Sequence, residues 1–359
     1  MHASPLPAAS SNSLPAAGGV VLSVVVPVYN EAAVIGDFHR RLVAALDALL
    51  PLASEVVYVN DGSSDESIAL LRGFAQADAR VVVLDFSRNF GKEIAMTAGL
   101  DHAAGDAVVV IDSDLQDPPE LIGDMLREWQ AGADVVLMRR ASRAGESWLK
   151  KASARWFYRL IGSIGEQPIP ADVGDFRLLS RRAVAALQAC NERTRFMKGL
   201  FAWVGFRQTT IDYVRDARFA GVTKWNYWRL WNFAIEGITS FSSVPLKLAS
   251  YVGLASALFA FAYALLIFAK ALLYGNPVAG YPSLMVTVLF LGGVQLIALG
   301  IIGEYLARMF VEVKGRPLYL LSAVYRQRAG DAGAIDPLAA ADRTAAARAT
   351  RIAGEPPGA

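Results

Sequence analysis

The first part of the chain alternates short apolar runs with amphipathic stretches. Between Val20 and about Met138 lie five runs rich in β-branched residues, namely VLSVVVPV, EVVYV, RVVVLDF, AVVVI and DVVLM. The helical stretches between them begin near Glu31, Asp65, Lys92 and Pro118. Continuously apolar strands that alternate with helices are typical of a largely parallel sheet covered on both faces. The pattern therefore predicts an α/β domain.

The second part of the chain contains two uncharged apolar stretches. One lies between Lys247 and Lys270, and the other runs from Tyr281 to Gly303. Each has roughly the 20 residues that an α-helix needs to cross a bilayer core. Because a short uncharged connector joins them, the pattern predicts a transmembrane helical hairpin. Two helices buried in a soluble protein are the alternative.

The charges around these stretches predict an orientation. Lys270 is the lone basic residue at the connector, whereas the outer flanks carry Lys247, Arg308, Lys314, Arg316, Arg326 and Arg328. Basic residues concentrate on the cytoplasmic side of membrane proteins. We therefore expect a multi-pass protein of the inner (plasma) membrane, with the α/β domain and both termini in the cytoplasm.

Composition agrees with a membrane protein. Hydrophobic residues make up 54% of the 359 residues and charged residues only 19%, which is unusual for a soluble α/β protein. The formal net charge of +2 gives no support for a nucleic acid partner. The single cysteine, Cys190, excludes an intramolecular disulfide and a zinc-binding cysteine cluster, and we expect it to be a small core residue.

The order of these segments predicts six regions. Residues 1–19 and 330–359 are dominated by small residues and proline, and we predict that both are disordered tails. Between them we expect the α/β domain at 20–223, an amphipathic interfacial segment at 224–245, the two-helix hairpin at 246–310 and a cytoplasmic juxtamembrane segment at 311–329.

Polar residues follow the predicted strands at their carboxyl ends. The clusters are Tyr29–Glu31, Asn60–Ser63, Ser87–Asn89 and Asp112–Asp114. In open α/β sheets this edge is where ligands bind. Helix capping explains part of the pattern, with Asp65 and Asp117 as N-cap candidates. The chain lacks the glycine-rich dinucleotide fingerprint and the P-loop, which disfavours both of those nucleotide sites.

The segment AVVVIDSDLQDPPELI points to a metal. Residues two apart in an extended chain project to the same side, so Asp112 and Asp114 can face one ligand. Mg²⁺ and Mn²⁺ are commonly held by one or two carboxylates together with phosphate oxygens and water. Such a metal offsets the negative charge on a departing nucleoside diphosphate.

Basic residues follow the fifth predicted strand. Arg139 ends that strand, and Lys150 and Lys151 come soon after it. Arginine and lysine are the usual partners of phosphate oxygens. However, SWLKKASARWFYRLIGSIG also has the pattern of a basic amphipathic helix that lies on anionic lipid. Diphosphate contact and membrane contact both remain open for this segment.

Six motifs occur in order along the chain. They are VVVPVYNE from Val24, VNDGSSD from Val59, SRNFGKE from Ser87, DSDLQDPPE from Asp112, GDFRLLSR from Gly174 and RFAGVTKW from Arg218. Together they resemble glycosyltransferase family 2, in its polyprenyl-phosphate branch, which includes bactoprenol glucosyltransferases and dolichyl-phosphate mannose synthases. The resemblance implies a GT-A type catalytic domain with a mostly parallel sheet, then interfacial helices and two C-terminal transmembrane helices. The QxxRW motif of processive synthases is absent, which favours transfer of a single sugar.

The resemblance also implies roles for the residues that match the motifs. The nucleotide would be bound by Pro27, Tyr29, Glu31, Asp61 and Asp112. Asp114 and Gln116 would hold Mg²⁺ or Mn²⁺, Arg139 and Lys151 would contact the diphosphate, and Arg218 and Lys224 would bind the acceptor phosphate. Asp175 would lie beside the reacting centre, as an orienting group or auxiliary base. The catalytic residues would then be Asp175, Asp114 and Arg218.

An aromatic segment independently favours a lipid acceptor. Trp225, Trp228 and Trp231 recur at intervals of three residues after Lys224, and tryptophan rings settle at the headgroup level of a bilayer. A packed core stripe is the alternative. Cationic residues just before such a segment are well placed for the phosphate of a lipid.

These observations combine into one expected function. The chain would transfer a sugar, by default glucose, from a nucleotide-sugar, with uridine as the expected base, to undecaprenyl phosphate, with inversion, for modification of cell-envelope glycans. Other sugars, a lipid hydroxyl acceptor and a non-catalytic nucleotide-binding scaffold are the alternatives. The expected partners are the donor, the polyprenyl phosphate, the lipid bilayer and further copies of the chain in a homo-oligomer.

Overall fold

The computed structural model describes residues 20–140, 173–190, 192–193, 195, 197–214, 244–274 and 280–327. Several predictions concern other residues: the two tails, the basic segment after Arg140, residues 224–243 of the interfacial segment predicted at 224–245, and the side chains of Lys151, Arg218 and Lys224. These lie outside the described residues. The chain divides into two compact units, of which one contains the sheet and the other the two long helices.

The first unit is built on one sheet of eight strands. They are β1 (Leu22–Val28), β2 (Ser54–Asn60), β3 (Val81–Phe86), β4 (Ala107–Val110), β5 (Val135–Arg140), β6 (Val173–Ser180), β7 (Gln208–Tyr213) and β8 (Leu321–Arg326). The order across the sheet is β7-β5-β6-β4-β1-β2-β3-β8. All five strands that the apolar runs predict are present, and all residues of β1 and β4 are buried.

The sheet is parallel at its centre and antiparallel where later strands join it. β4, β1, β2 and β3 pair in parallel, as do β5 and β7. β6 lies antiparallel between β4 and β5, and β8 lies antiparallel beside β3. The prediction of a mostly parallel α/β sheet is confirmed. Insertion of β6 brings the segment that follows Gly174 next to the carboxyl end of β4.

The helices of the sheet unit follow the strands as predicted. They are α1 (Ile35–Asp47), α2 (Ser67–Ala77), α3 (Lys92–His102), α4 (Ile122–Gln130), α5 (Arg181–Ala189) and α6 (Met197–Trp203), with a 3₁₀ turn at Pro119–Leu121 before α4. α1 starts one turn after Glu31, because the Glu31 carbonyl accepts from the amides of Val34 and Ile35 in a preceding turn.

Neither N-cap candidate occupies a cap position. Asp65 lies one residue before Glu66, the cap residue of α2, and its carboxylate accepts a hydrogen bond from the amide of Ser67, the first residue of α2, at 3.0 Å. The prediction of Asp65 as an N-cap is therefore wrong by one residue. Asp117 does not cap the 3₁₀ turn, because Pro118 occupies the cap position and makes no side-chain cap bond. Its carboxylate instead accepts from the hydroxyl of Tyr213 at 2.5 Å. The prediction of Asp117 as an N-cap is therefore wrong, and the side chain links its loop to β7.

The second unit contains two long helices, α7 (Val244–Tyr274) and α8 (Tyr281–Val313). Within α8, Val286–Val313 is long and apolar enough to cross a membrane, judged by length and composition. Within α7, the apolar part among the described residues is the shorter Tyr251–Tyr263. Both predicted apolar helices are therefore present, and one of them meets the criterion for a span.

Candidate active site

The loops at the carboxyl ends of β1 and β2 are tied together. The amide of Asn30 donates to Ser63 Oγ at 3.0 Å, and Asn30 Oδ1 accepts from the amide of Ser64 at 2.8 Å. The amide of Glu31 donates to Ser67 Oγ at 2.9 Å. Asn30 adopts a left-handed backbone with φ of 55°, which asparagine tolerates better than most residues. These contacts hold Tyr29, whose side chain is largely exposed, at the edge of the sheet.

Asp61 joins the end of β2 to the beginning of α3. Its carboxylate accepts hydrogen bonds from the amides of Phe90, at 2.7 Å, and Gly91, at 3.0 Å. Burial raises the pKa of Asp61 although these two amides oppose the shift. Asp61, the residue predicted to bind the nucleotide, therefore lies at the expected edge of the sheet. Its carboxylate fixes the loop that precedes Lys92.

The Asp112–Asp114 loop has the alternation that the sequence predicts. Ser113 is buried and its hydroxyl donates to the carbonyl of Pro27 at 3.4 Å, whereas Asp112 and Asp114 are partly exposed. The next residue, Leu115, is held at φ of 61°, a conformation that costs on the order of 1–3 kcal/mol for such a side chain. Strain of this kind is typical of loops that present functional groups.

Lys92 connects two of the predicted site residues. Its Nζ lies 2.7 Å from Asp112 Oδ1 and 2.8 Å from Asp112 Oδ2. The same Nζ donates to Asp175 Oδ2 at 2.5 Å. The structure therefore brings Asp112 of the β4 loop and Asp175 of β6 together around one ammonium group, which the sequence analysis did not include in the site.

The charges around Asp175 determine its ionisation. Burial would raise the pKa of Asp175, but Lys92, followed by Lys198 and Arg177, outweighs burial and lowers the pKa to about 2. The neighbouring Glu93 behaves in the opposite way, because burial and the charge of Asp175 raise its pKa to about 7. Asp175 is thus a carboxylate at neutral pH and cannot act as a proton donor there.

The two arginines at the end of β5 have different surroundings. Arg139, the predicted diphosphate contact, forms a bidentate ion pair with Asp212 of β7, with Nε at 2.6 Å and Nη2 at 2.9 Å from its oxygens. Both side chains of this pair are 52% exposed. Arg139 is thus bound to β7 through Asp212.

Arg140 lies on the side of the acidic residues. Its guanidinium packs over Gly174, since a Cβ built there would be 3.1 Å from Nη2. Burial would lower the pKa of Arg140, but a hydrogen bond with Tyr213 and the negative charges of Asp117 and Asp112 raise it. The alternation of side chains along a strand separates the two arginines. Their positions in the sequence alone do not show which of the two arginines lies near the acidic residues.

The residues expected to hold a metal fit that role. No group of three His, Cys, Asp or Glu side chains placed to hold a metal occurs within the described ranges. Asp114 is partly exposed, and the buried side-chain nitrogen of Gln116 has no hydrogen-bond partner among the described residues. Because an amide can be flipped, Gln116 can instead present its oxygen there. Two protein oxygens completed by diphosphate oxygens suit Mg²⁺ or Mn²⁺.

The site therefore contains carboxylates, the ammonium group of Lys92 and the guanidinium group of Arg140 at the carboxyl edge of the parallel strands. It can bind a phosphorylated ligand and stabilise negative charge on a leaving group.

Comparisons with known proteins identify the family of the chain. The family described as Glycosyl transferase family 2 matches residues 23–187, and that described as GtrB C-terminal hairpin matches residues 244–309. An uncharacterised glycosyltransferase of Synechocystis sp. is 51% identical over 306 residues, which cover 85% of this chain and 96% of that protein.

Two further relatives have more specific names. The SfII prophage-derived bactoprenol glucosyl transferase of Shigella flexneri is 48% identical, with 85% of this chain and 98% of that protein covered. A prophage bactoprenol glucosyl transferase homolog of Escherichia coli is 47% identical, with 84% and 99% covered. The chain is a glycosyltransferase and belongs to glycosyltransferase family 2, in the branch that contains the bactoprenol glucosyl transferases.

Proposed function

We propose that the protein transfers a single sugar, by default glucose, from a UDP-sugar to undecaprenyl phosphate, with inversion and with Mg²⁺ or Mn²⁺. The observation that carries the proposal is the convergence of Asp112 and Asp175, from two separate motifs, on Lys92 Nζ at the carboxyl edge of the sheet. The names of the relatives that match this chain over nearly their full length support the acceptor and the sugar. The product would serve modification of cell-envelope glycans.

The proposed reaction is a single displacement. An oxygen of the acceptor phosphate forms a bond to the anomeric carbon, while the bond from that carbon to the nucleoside diphosphate breaks. A phosphate monoester has a second pKa of about 6, so the nucleophile is already a dianion and needs no general base. Asp175 is ionised and therefore orients groups at the reacting carbon without delivering a proton. Positioning and charge compensation supply most of the catalysis.

The donor would be held by the loops at the strand ends. Pro27, Tyr29, Glu31 and Asp61 lie at the edge where the nucleotide is expected. Asp114 and Gln116 would hold the divalent metal, which supplies Lewis-acid compensation of the diphosphate charge. Arg140, whose guanidinium packs over Gly174, is better placed than Arg139 to contact the diphosphate. Arg218, Lys224 and Lys151 keep their predicted phosphate contacts as part of this proposal.

The sheet supports the proposed membrane topology. β7 precedes both long helices in the chain and β8 follows them, and the two strands belong to one sheet. One sheet cannot lie on both sides of a bilayer, so the chain crosses any bilayer an even number of times between residues 213 and 321. If α8 crosses, α7 or its neighbouring residues must cross as well. We therefore propose two spans, with the catalytic domain on the cytoplasmic face where nucleotide-sugars occur.

A transfer assay tests the proposal. Detergent-solubilised protein is mixed with undecaprenyl phosphate, Mg²⁺ or Mn²⁺, and a panel of radiolabelled nucleotide-sugars, and label in the organic phase is measured. We expect label from UDP-glucose, lost on addition of a chelator and in Asp114→Ala. Label from another donor alone would correct the sugar. The absence of organic-phase label from every donor, with folded protein, would contradict the acceptor, and diacylglycerol would then be tested as a hydroxyl acceptor.

A further inference from the structure

We propose that Lys92 is a positioning residue whose ammonium occupies a cation position between Asp112 and Asp175, so that divalent metal binds productively only together with a nucleoside diphosphate. This rests on the proposed function, because it concerns how the same site receives its metal and donor. The chemistry involved is that of a nucleotide diphosphate with a divalent cation.

The ammonium group of Lys92 contacts carboxylate oxygens in the way that a bound metal cation would. Its Nζ lies within 2.8 Å of both oxygens of Asp112 and 2.5 Å from Asp175 Oδ2. Three elements contribute these groups, namely α3, the loop after β4, and β6. The carboxylates of Asp112 and Asp175 would repel each other without a positive charge between them. The ammonium group therefore holds the carboxylates of Asp112 and Asp175 together.

The backbone of Lys92 is fixed from the opposite side. Lys92 is the first residue of α3, and Gly91 before it adopts φ of 98°. The amides of Phe90 and Gly91 both donate to the buried carboxylate of Asp61. A lysine on a surface helix is usually free to move, but here the turn that carries it is bonded to the end of β2. The fold therefore fixes the backbone from which the Lys92 side chain extends, and the ion pair fixes Nζ.

The acidic groups around Lys92 explain why such a cation is needed. Asp112, Asp114 and Asp175 carry negative charge within one site, and the partly buried Glu93 follows Lys92 directly. With Lys92 removed, Asp112 and Asp175 would form a carboxylate pair of the kind that binds divalent cations in proteins. A metal held there, without nucleotide, would occupy space beside the reacting centre. With Lys92 present, Asp114 and Gln116 are left to receive the metal that arrives with the diphosphate.

Binding of Mn²⁺ tests the inference without any transfer reaction. Free Mn²⁺ is measured by electron paramagnetic resonance during titration of detergent-solubilised, full-length protein, with and without UDP. The variants are Lys92→Met, which removes the charge, Lys92→Arg, which keeps it, and Arg41→Gln as a matched control. Arg41 forms a bidentate ion pair with Glu120 on an exposed part of the surface, at 2.9 and 3.0 Å.

We expect wild type, Lys92→Arg and Arg41→Gln to bind Mn²⁺ only when UDP is present. Lys92→Met should bind Mn²⁺ without UDP at least about tenfold more tightly than wild type, because a unit positive charge has been removed from the carboxylate pair. If size-exclusion chromatography shows that Lys92→Met is misfolded, Lys92→Gln is used instead as the variant that removes the charge. Equal and weak UDP-independent binding in wild type and in a folded charge-removing variant would overturn the inference. UDP-independent binding by the wild type would also overturn it.

This readout separates the inference from the proposed function. The titration uses neither sugar nor acceptor, so the effect of Lys92→Met on Mn²⁺ binding can hold even if undecaprenyl phosphate is not the acceptor. Conversely, organic-phase product formed by an enzyme in which Lys92→Met leaves Mn²⁺ binding unchanged would support the function and reject the role of Lys92.

Discussion

Arg139 and Arg140 are neighbours in sequence, but their side chains lie on opposite faces of β5. Arg139 pairs with Asp212 in solvent, whereas Arg140 lies over Gly174 and interacts with the charges of Asp112 and Asp117. An exposed ion pair contributes little to stability, because solvent screens the charges. A charged contact to a phosphate in a partly buried site contributes more. The two arginines therefore differ in their expected effect on activity.

Substitution of the two arginines provides a matched pair. Arg140→Gln should raise the KM for the nucleotide-sugar and lower kcat/KM by about 10- to 100-fold, because a charge-assisted contact to the diphosphate is lost. Arg139→Gln should change kcat/KM by less than about threefold. Steady-state kinetics with varied donor measures both. The reverse ranking would restore Arg139 as the diphosphate contact.

Glu93 provides a prediction on pH. Its pKa in the folded protein is raised to about 7, mainly by burial and then by Asp175, whereas the unfolded chain has the ordinary value near 4.5. Between these two values the folded state holds a proton that the unfolded state has released. The stability that Glu93 contributes is therefore complete below pH 4.5 and is lost as the pH rises towards and through 7.

Glu93→Gln should remove this loss, because the amide carries no charge and can still accept from the amide of Met197, which lies 2.8 Å from Oε2 in the wild type. Relative to wild type, the apparent unfolding temperature of the variant should rise between pH 5 and pH 8. The difference should change by on the order of 5–10 °C across this range, which corresponds to about 2–3 kcal/mol. Thermal unfolding at four pH values measures it. A constant difference across this range would contradict the raised pKa.

At the scale of elements, the loop after β2 packs directly against the loop after β3. Gly62 has φ of 64°, and a Cβ on it would lie 2.4 Å from the carbonyl carbon of Arg88 and 2.5 Å from the amide nitrogen of Asn89. Backbone atoms cannot give way as a flexible side chain can. This contact sets the distance between the two loops that form the nucleotide edge.

Gly62→Ala should therefore lower stability by about 1–3 kcal/mol and weaken donor binding, since both loops must move. Gly73, in the middle of α2, has open space around it and serves as the control. Gly73→Ala should be neutral or should stabilise by up to about 1 kcal/mol, because alanine favours the helix. Apparent unfolding temperatures and UDP binding are measured for both. Equal stability of the two variants would contradict the close contact.

The predictable elements are those whose apolar pattern is continuous. β1 to β5 were predicted because central parallel strands are buried on both faces and read as unbroken apolar runs. Most residues of β7 are exposed or partly buried, so its sequence is not a continuous apolar run. β8 lies beyond the long helices and is therefore far in sequence from the other strands. GDFRLLSR was recognised as a motif, but nothing in its sequence shows that β6 inserts antiparallel between β4 and β5.

In the site, too, only those residues that belong to a sequence motif were predictable. Asp112, Asp114 and Asp175 follow from their motifs and from the rule that ligands bind at strand ends. The role of Lys92 was missed because its two partners come from distant parts of the chain and meet only in the folded sheet. The sequence did contain one signal for Lys92: it directly follows a glycine at a predicted helix start, between two polar clusters. The choice between Arg139 and Arg140 required the register of β5.

At the scale of the whole molecule, the even number of crossings leads to a labelling prediction. The sequence contains one cysteine, Cys190, so Cys190→Ala provides a background without thiols. In that background, Gly280→Cys, before α8, should react with a membrane-impermeant maleimide in intact cells. Gln327→Cys, just after β8, should react only in opened cells. Labelling of both positions, or of neither, in intact cells would contradict the proposed two spans.

β8 also has a consequence for how the protein is made. The ribosome delivers this strand only after both long helices have been synthesised, yet it covers the outer edge of β3 and pairs with it from Val82 to Phe86. Until then the nascent catalytic domain has an open strand edge, which is a site for pairing with other chains. In the proposed two-span topology, insertion of the helices into the membrane precedes completion of the sheet, and a chain released before β8 would leave an aggregation-prone intermediate at the membrane.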